Sequence, residues 1–322
     1  MHDLIAIGDI KLDTFVILPE ASVHCGLKEK DCKLCVSYGK KIAMEVIATQ
    51  IAGSAPNVAT GLSRLGYKTA VASAMGEDNT HLVALETLKH EGVGTKFVQA
   101  VKGKQSSFSV VLTYKGEKTI LTSHTGDGLR LPNPIPSTWA YLGELGANYQ
   151  SSFRALVAAT KKQHLHVAAN FGSVQINERS PVLMQLTRRL DVIFLNVEEA
   201  QQLTEHAKRD IKTLLKAVHS LGPKLVIMTD GPAGAYGYDG EDAVFCPTFP
   251  GKKIESTGAG DAFASGTMGG IICDMPWAEA MLYGAVNAAS VVGFVGPTMG
   301  LLEYEQIKKR LKSQPGFKIR PL

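Results

Sequence analysis

The run Ser256-Thr257-Gly258-Ala259-Gly260-Asp261-Ala262-Phe263-Ala264-Ser265-Gly266 holds the residue types in this chain best suited to chemistry. Small side chains at Gly258, Ala259 and Gly260 let successive backbone N–H groups converge on an anion. The helix predicted behind them adds about half a positive charge at its N-terminus. An aspartate at the mouth of such a cradle repels an anionic ligand unless it has chemical work. That work is to accept a proton from an attacking hydroxyl while the N–H groups stabilise a phosphoryl group in transfer. The same pattern fits a tight turn whose helix is capped by Asp261, and the local residues leave both readings open.

Other polar residues stand where a sheet edge would present them. Leu4 to Ile10 reads as a buried parallel strand ending in Gly8-Asp9, with Asp13 just beyond. In open α/β sheets ligands gather off the carboxyl ends of strands, so Asp9 and Asp13 are candidates to grip a polar ligand, or simply to cap turns. In Ile51 to Gly66, Gly53-Ser54-Ala55 is a small-residue turn and Pro56 suits a first helical turn. Val58, Leu62 and Leu65 share one helix face, and Gly66 suits the C-terminal end. Asn57 then sits at a helix start, where its amide can both donate to and accept from sugar hydroxyls, or serve as a cap.

These residues need a scaffold, and the remaining pattern supplies one. From residue 139 onward, apolar strands alternate with helical segments: Trp139 to Leu142, Ser152 to Gln163, His166 to Asn170, Pro181 to Arg189, Val192 to Leu195, Ile211 to Leu221 and Leu225 to Met228. Such alternation predicts a doubly wound, mostly parallel α/β sheet flanked by helices, in a single domain. Polar clusters follow the strands at Asn196-Val197-Glu198-Glu199 and Thr229-Asp230-Gly231-Pro232-Ala233-Gly234. Glu199 could reach a Mg²⁺ hydration shell, and Thr229 and Gly231 could meet phosphate oxygens. Two small-residue helices, Ala262 to Ile272 and Met281 to Phe294, leave room for a flat ring beside Asn287.

Residues 14–47 and 97–125 break the α/β rhythm. Phe15 to Leu18 and Lys40 to Ile47 read as strands, as do Val98 to Val101, Phe108 to Tyr114 and Lys118 to Thr122, with a turn at Lys115-Gly116-Glu117. Together they predict a small β-sheet lid that excludes water when it closes. The first stretch carries His24-Cys25 and Cys32-Lys33-Leu34-Cys35. Cys25, Cys32 and Cys35 could hold a structural zinc or remain reduced thiols, since their spacing falls outside the usual finger patterns.

Composition narrows the class. A net charge of +4, from 34 Lys+Arg against 30 Asp+Glu, is too balanced for a nucleic-acid binder. With 45% hydrophobic residues there is material for a large core, yet no apolar run is long enough to span a bilayer. Met1-His2-Asp3 lacks a basic leader segment and five cysteines make no disulfide scaffold, so a cytoplasmic protein is expected.

Taken jointly the motifs are far more specific. Gly8-Asp9-Ile10-Lys11-Leu12-Asp13, Ala52-Gly53-Ser54-Ala55-Pro56-Asn57, the clusters at 196–199 and 229–234, and Ser256 to Asp261 occur in the order and spacing of one family. Along nearly its whole length the chain resembles the ribokinase-like, phosphofructokinase-B family of carbohydrate and nucleoside kinases. The resemblance implies Asp261 as catalytic base, with the Gly258, Ala259 and Gly260 amides as anion hole. It implies Asp13, Gly53 and Asn57 on the acceptor's hydroxyls, and Asn196 and Glu199 organising Mg²⁺ and phosphates through water. Thr229, Gly231 and Gly234 would contact the phosphates of ATP, and Asn287 would lie beside the adenine. The β stretches would form the family's lid and the interface of a homodimer.

Departures from the family pattern are specific. Ala52-Gly53 replaces two glycines and narrows the acceptor pocket. Lys11 stands where sugar kinases often carry Asn; it points either at an anionic acceptor or at solvent. Glu255-Ser256 replaces the Asp-Thr with which the family holds an activating monovalent cation, so K⁺ activation is left open. Asn170-Phe171-Gly172 replaces an Asp-Pro-Asn. The expected activity is ATP-dependent phosphorylation of a hydroxyl of a sugar or related small molecule. Rival acceptors are a sugar phosphate or a nucleoside, the latter needing an apolar slot lined by Phe15, Phe108 and Phe171. From other classes the rivals are a non-catalytic sugar or nucleotide sensor and a regulatory module built on the cysteines.

Overall fold

The computed structural model describes the chain apart from residues 20, 26–31, 115–116, 125–128 and 147. Its strands are β1 (His2–Ile7), β2 (Lys11–Ile17), β3 (Ser22–Cys25), β4 (Cys32–Cys35), β5 (Glu45–Ala52), β6 (Thr69–Gly76), β7 (Gly94–Val101) and β8 (Ser107–Tyr114). They continue with β9 (Glu117–Ser123), β10 (Ser137–Leu142), β11 (His166–Ala169), β12 (Val192–Asn196), β13 (Leu225–Thr229), β14 (Ala235–Tyr238), β15 (Ala243–Cys246) and β16 (Arg320–Pro321). The helices are α1 (Ser54–Arg64), α2 (Asn79–His90), α3 (Gln150–Lys162), α4 (Ser173–Glu178), α5 (Pro181–Thr187), α6 (Val197–Thr204), α7 (Ile211–Ser220), α8 (Ala259–Ile272), α9 (Trp277–Val291) and α10 (Tyr304–Lys312).

A ten-stranded sheet runs in the order β16-β15-β14-β13-β12-β11-β10-β1-β6-β7. Neighbours from β7 to β13 are parallel, and β14, β15 and β16 extend that edge antiparallel. Helices cover both faces, so the inner strands are largely apolar and buried: every residue of β6 is buried, as are Leu4, Ile5, Ala6 and Ile7 of β1. The chain leaves β1 toward β6 on one side and comes back at β10 on the other. That reversal opens a crevice at the carboxyl ends of β1 and β10, where such sheets bind ligands.

A second sheet, in the order β5-β2-β8-β9, is rooted at that crevice because only Gly8-Asp9-Ile10 separates β1 from β2. Here β2 is antiparallel to β5 and parallel to β8, and β8 pairs antiparallel with β9. Several boundaries differ from expectation. Val98 to Val101 belong to β7, which pairs with β6 in the large sheet. The strand expected at Lys40 to Ile47 is displaced to β5, and α1 starts at Ser54, ahead of Pro56. Pairing with β2, from Lys11↔Ala52 to Ile17↔Glu45, holds that segment extended, a long-range effect that local pattern does not carry. Lys115 and Gly116 of the expected turn lie outside the described residues, while Tyr114 and Glu117 on either side are paired.

Small residues let α8 and α9 meet almost backbone to backbone. A β-carbon on Gly266 would lie 2.7 Å from Tyr283 O. Arg64, ending α1, donates to both oxygens of Glu91 at 2.8 and 2.7 Å and to the carbonyls of Thr298 and Leu301 at 3.0 and 3.1 Å. It thereby ties α1 to the segment that backs the glycine-rich loop. No helix among the described residues is long and apolar enough to cross a membrane.

Candidate active site

Gly258 is the N-cap of α8 in the left-handed region, with φ 76°, and a β-carbon there would lie 2.4 Å from Pro297 Cβ. Behind it, the first-turn N–H groups of Gly260 and Asp261 have no intrahelical acceptor, and Gly260 faces open space. The Ala259 N–H donates to Ser256 O at 3.3 Å, so of the expected amide cradle this donor is shared with a turn. The Asp261 carboxylate faces α1, accepting from Ser54 Oγ at 2.8 Å and from Asn57 Nδ2 at 2.8 Å. These partners from another helix give it a role beyond a local cap. Burial pushes its pKa up, the Asn57 and Ser54 bonds pull it back, and Glu144 pushes it up again. A raised pKa strengthens a carboxylate as a base.

Ser54 and Asn57 lie three residues apart on one helix face, which is why both reach Asp261. Their helix begins this close to β1 because Gly53, at φ 125°, has no side chain: a β-carbon would lie 2.3 Å from Asp9 O. Asp13, on β2, is close enough to feel the charge of Asp261. Burial raises its pKa, Lys11 and a Ser109 hydrogen bond lower it, and Glu144 and Asp261 raise it further. Its Oδ1 is buried without a partner, as are Asn57 Oδ1 and His124 Nε2. The structure thus brings Asp13, Asn57 and Asp261 to one place with hydrogen-bonding capacity left over.

Lys11 points neither to solvent nor to a free anion site. It is buried and ion-paired with Glu144, the residue after Gly143 at the end of β10. His124, just past β9, bonds Asp9 Oδ2 through Nδ1 at 2.5 Å. The slot envisaged for a nucleoside base does not form from the expected residues. Phe15 and Phe171 are each 1% exposed, and Phe171 packs in the core against Phe153.

A cavity of about 500 Å³ adjoins the loop, lined by Asn196, Thr229, Gly231, Gly234, Ala259 and Gly260. Phe263, the α9 residues Ala285, Ala288 and Ala289, and Val292 just past that helix supply an apolar surface. Asn287 is not among the lining residues. It is fully buried, donating to Ala262 O at 3.1 Å and Ser265 Oγ at 3.2 Å and accepting from Leu302 N at 3.0 Å. Its helix face looks at α8, so it staples the two helices and the segment before α10 and does not reach the cavity.

Asn196 and Glu199 form a capping box at the start of α6, each side chain accepting from the other's backbone N–H at 2.8 Å. Burial raises the pKa of Glu199; Asn196 and Asn170 oppose this, and the charge of Asp261 adds to it. Glu199 Oε2 serves the capping box, and Mg²⁺ commonly takes one or two carboxylates beside phosphates and waters, so this carboxylate is of the type such an ion would use. The zinc expectation is corrected. Cys25 and Cys32 are joined by a disulfide across β3 and β4, and Cys35 is a free thiol. Among the described residues no three His, Cys, Asp or Glu side chains are arranged to hold a metal.

Some residues of the site carry no sequence motif. Lys118 of β9 reaches across from the small sheet to pair with Glu255 and to donate to Thr257 Oγ1 at 2.9 Å. Glu255 also accepts from Thr257 N at 2.5 Å and from Gly296 N at 3.2 Å, holding the glycine-rich loop from behind. Ser54 could have been found from its helical spacing to Asn57. Glu144, His124 and Lys118 could not, since they come from separate strand ends.

Comparison with known proteins agrees with this fold. A cytidine kinase of Thermococcus kodakarensis is 25% identical over 300 residues, covering 91% of this chain and 96% of that protein. An ATP-dependent 6-phosphofructokinase of Thermoanaerobacterium thermosaccharolyticum is 24% identical over 292 residues, covering 85% and 89%. A 5-dehydro-2-deoxygluconokinase of Clostridium tetani is 25% identical over 291 residues, covering 82% and 84%. Among solved structures, Arabidopsis thaliana ribokinase complexed with ribose and ATP superposes with a TM-score of 0.79 at 21% identity, covering 97% of this chain and 99% of that one. The Methanocaldococcus jannaschii nucleoside kinase gives 0.75 at 17%, covering 97% and 98%. Matched by the family pattern over residues 20–302 and sharing the ribokinase-like α/β fold, the chain belongs to the pfkB family of carbohydrate kinases.

Proposed function

We propose that the protein transfers the γ-phosphoryl group of ATP, as its Mg²⁺ complex, to a hydroxyl of a sugar or related small molecule. The observation that carries this reading is the Asp261 carboxylate, held by Ser54 and Asn57 beside unpaired helix N–H groups and next to the unpartnered Oδ1 of Asp13. In the reaction the acceptor O–H gives its proton to Asp261 as its oxygen bonds the γ-phosphorus. The bond from that phosphorus to the β,γ-bridging oxygen breaks, and ADP leaves. The Gly260 and Asp261 N–H groups stabilise charge on the moving phosphoryl group. Asp13 and Asn57 orient the acceptor, and the cavity by Thr229, Gly231 and Gly234 takes the nucleotide. Mg²⁺, held from Asn196 and Glu199, would neutralise phosphate charge.

The relatives support an alcohol as acceptor without singling one out, since their names point to a nucleoside, a sugar phosphate and a sugar acid. The small sheet is proposed as lid and as homodimer interface. Support comes from its exposed apolar side chains, Val46, Ile120 and Leu121, each more than half exposed. The test is ATP consumption across pentoses, hexoses, their phosphates and nucleosides, followed by Asp261→Asn with the best acceptor. Turnover should fall about 10²–10⁴-fold with nucleotide binding little changed. Full turnover by the variant would remove Asp261 from its role and the reading with it.

A further inference from the structure

We infer that the acceptor is an uncharged polyhydroxy molecule, bearing neither phosphate nor carboxylate, and that Gln50, His124 and the Lys11–Glu144 pair set this choice; the inference rests on the kinase reading above. Its basis is the balance of charge around Asp13 and Asp261. The carboxylates of Asp9, Asp13, Glu144 and Asp261 converge there, facing the ammonium of Lys11 and the ring of His124. Neither of those groups is free. Lys11 is closed on Glu144, and His124 binds Asp9 through Nδ1 with its Nε2 3.9 Å from Glu144 Oε1. Among the described residues of this cluster, no cation is left over to meet a second anion. A phosphate or carboxylate on the acceptor would sit among like charges with no compensating partner.

The unpartnered atoms specify the chemistry that fits. Asp13 Oδ1 and Asn57 Oδ1 are acceptors, so they call for ligand O–H donors. Gln50 faces Asp13 across β5 and β2, and its Nε2 is a buried donor without a partner. That amide also lies against Gly296, beside the loop that backs Gly258. His124 Nε2 adds a fourth contact, whose direction follows the tautomer set by Asp9. Two oxygens seeking donors and one amide seeking an acceptor match neighbouring hydroxyls and a ring or carbonyl oxygen. Asn57, 5% exposed and bonded to Asp261, fixes one of these positions next to the reacting hydroxyl.

The experiment compares kcat/KM on matched acceptors that differ by one anionic group: fructose against fructose 6-phosphate, and glucose against gluconate. In any pair that supports turnover, the neutral member should be favoured by about tenfold or more. Glu144→Gln, which frees Lys11, should shift the ratio toward the anionic member. Should that variant fail to fold, Gln50→Ala should raise KM for the acceptor severalfold while leaving KM for ATP unchanged. Equal or better use of the anionic member by the wild type overturns the inference and leaves the kinase reading standing. A Gln50→Ala protein with unaltered acceptor KM removes Gln50 from the site. Absence of acceptor-dependent ADP release with these pairs and across pentoses, their phosphates and nucleosides overturns the kinase reading itself.

Discussion

Asn57 donates its side-chain amide to Asp261 Oδ2 at 2.8 Å, joining the first turn of α1 to the first turn of α8 across 204 positions of sequence. One bond thus connects the proposed acceptor side of the crevice to the proposed phosphate side. In the proposed reaction the side chain that holds the base through its Nδ2 would present its Oδ1 to the acceptor, so one residue would position both base and substrate.

Ser54 completes that grip, donating to Asp261 Oδ1 at 2.8 Å. This bond favours the charged carboxylate, so its loss raises a pKa that burial has already pushed up. As the proposed base Asp261 must be deprotonated, so activity should be lost as pH falls through its pKa. Ser54→Ala should therefore move the acid limb of the kcat/KM profile to higher pH and lower kcat severalfold. An acid limb that stays in place would assign it to another group.

Gly231 and Gly258 both have positive φ, 50° and 76°, but their surroundings differ. Space is open around Gly231, whereas a β-carbon at Gly258 meets Pro297 at 2.4 Å. Gly231→Ala should cost about 1–2 kcal/mol of stability, the backbone strain alone. Gly258→Ala should cost more and displace the loop, with turnover falling well below that of Gly231→Ala. Urea unfolding and kinetics on the two variants check this ordering.

Lys118 brings an ammonium from the small sheet to Glu255, at the base of the glycine-rich loop. A cation built into the protein already balances this carboxylate, so exchanging K⁺ for Na⁺ should alter turnover little. Removing it leaves Glu255, with only 9% of its side chain exposed, uncompensated. Lys118→Ala should lower kcat about tenfold or more by loosening the loop. Unchanged kcat in Lys118→Ala would show that the contact does not hold the loop in turnover.

The cysteines give a direct chemical readout. Cys35, Cys246 and Cys273 are free while Cys25 and Cys32 are bonded. Denatured, unreduced protein should take up three alkyl groups and reduced protein five, with no zinc in metal analysis. Five alkylations without reductant, together with bound zinc, would reverse this assignment.

Much of the scaffold was legible in the chain because it is written locally. Buried parallel strands such as β1 and β6 are dominated by apolar residues, and Gly53 and Gly258 stand at helix starts whose positive φ and close contacts favour glycine. Strand-end position pointed to Thr229 and Gly231, and the family resemblance added Asn196 and Gly234; all four line one cavity. Local pattern therefore carried the order of elements, the strand ends that bear polar residues, and a glycine-rich turn leading into a carboxylate. Tertiary structure decided the rest. It turned Asn287 inward as a staple, closed Lys11 on Glu144, brought Lys118 across to Glu255 and placed Gln50 opposite Asp13. Each of these depends on which strands pair and how helices pack over long separations, and a side chain's partner follows from that geometry rather than from its neighbours in the chain.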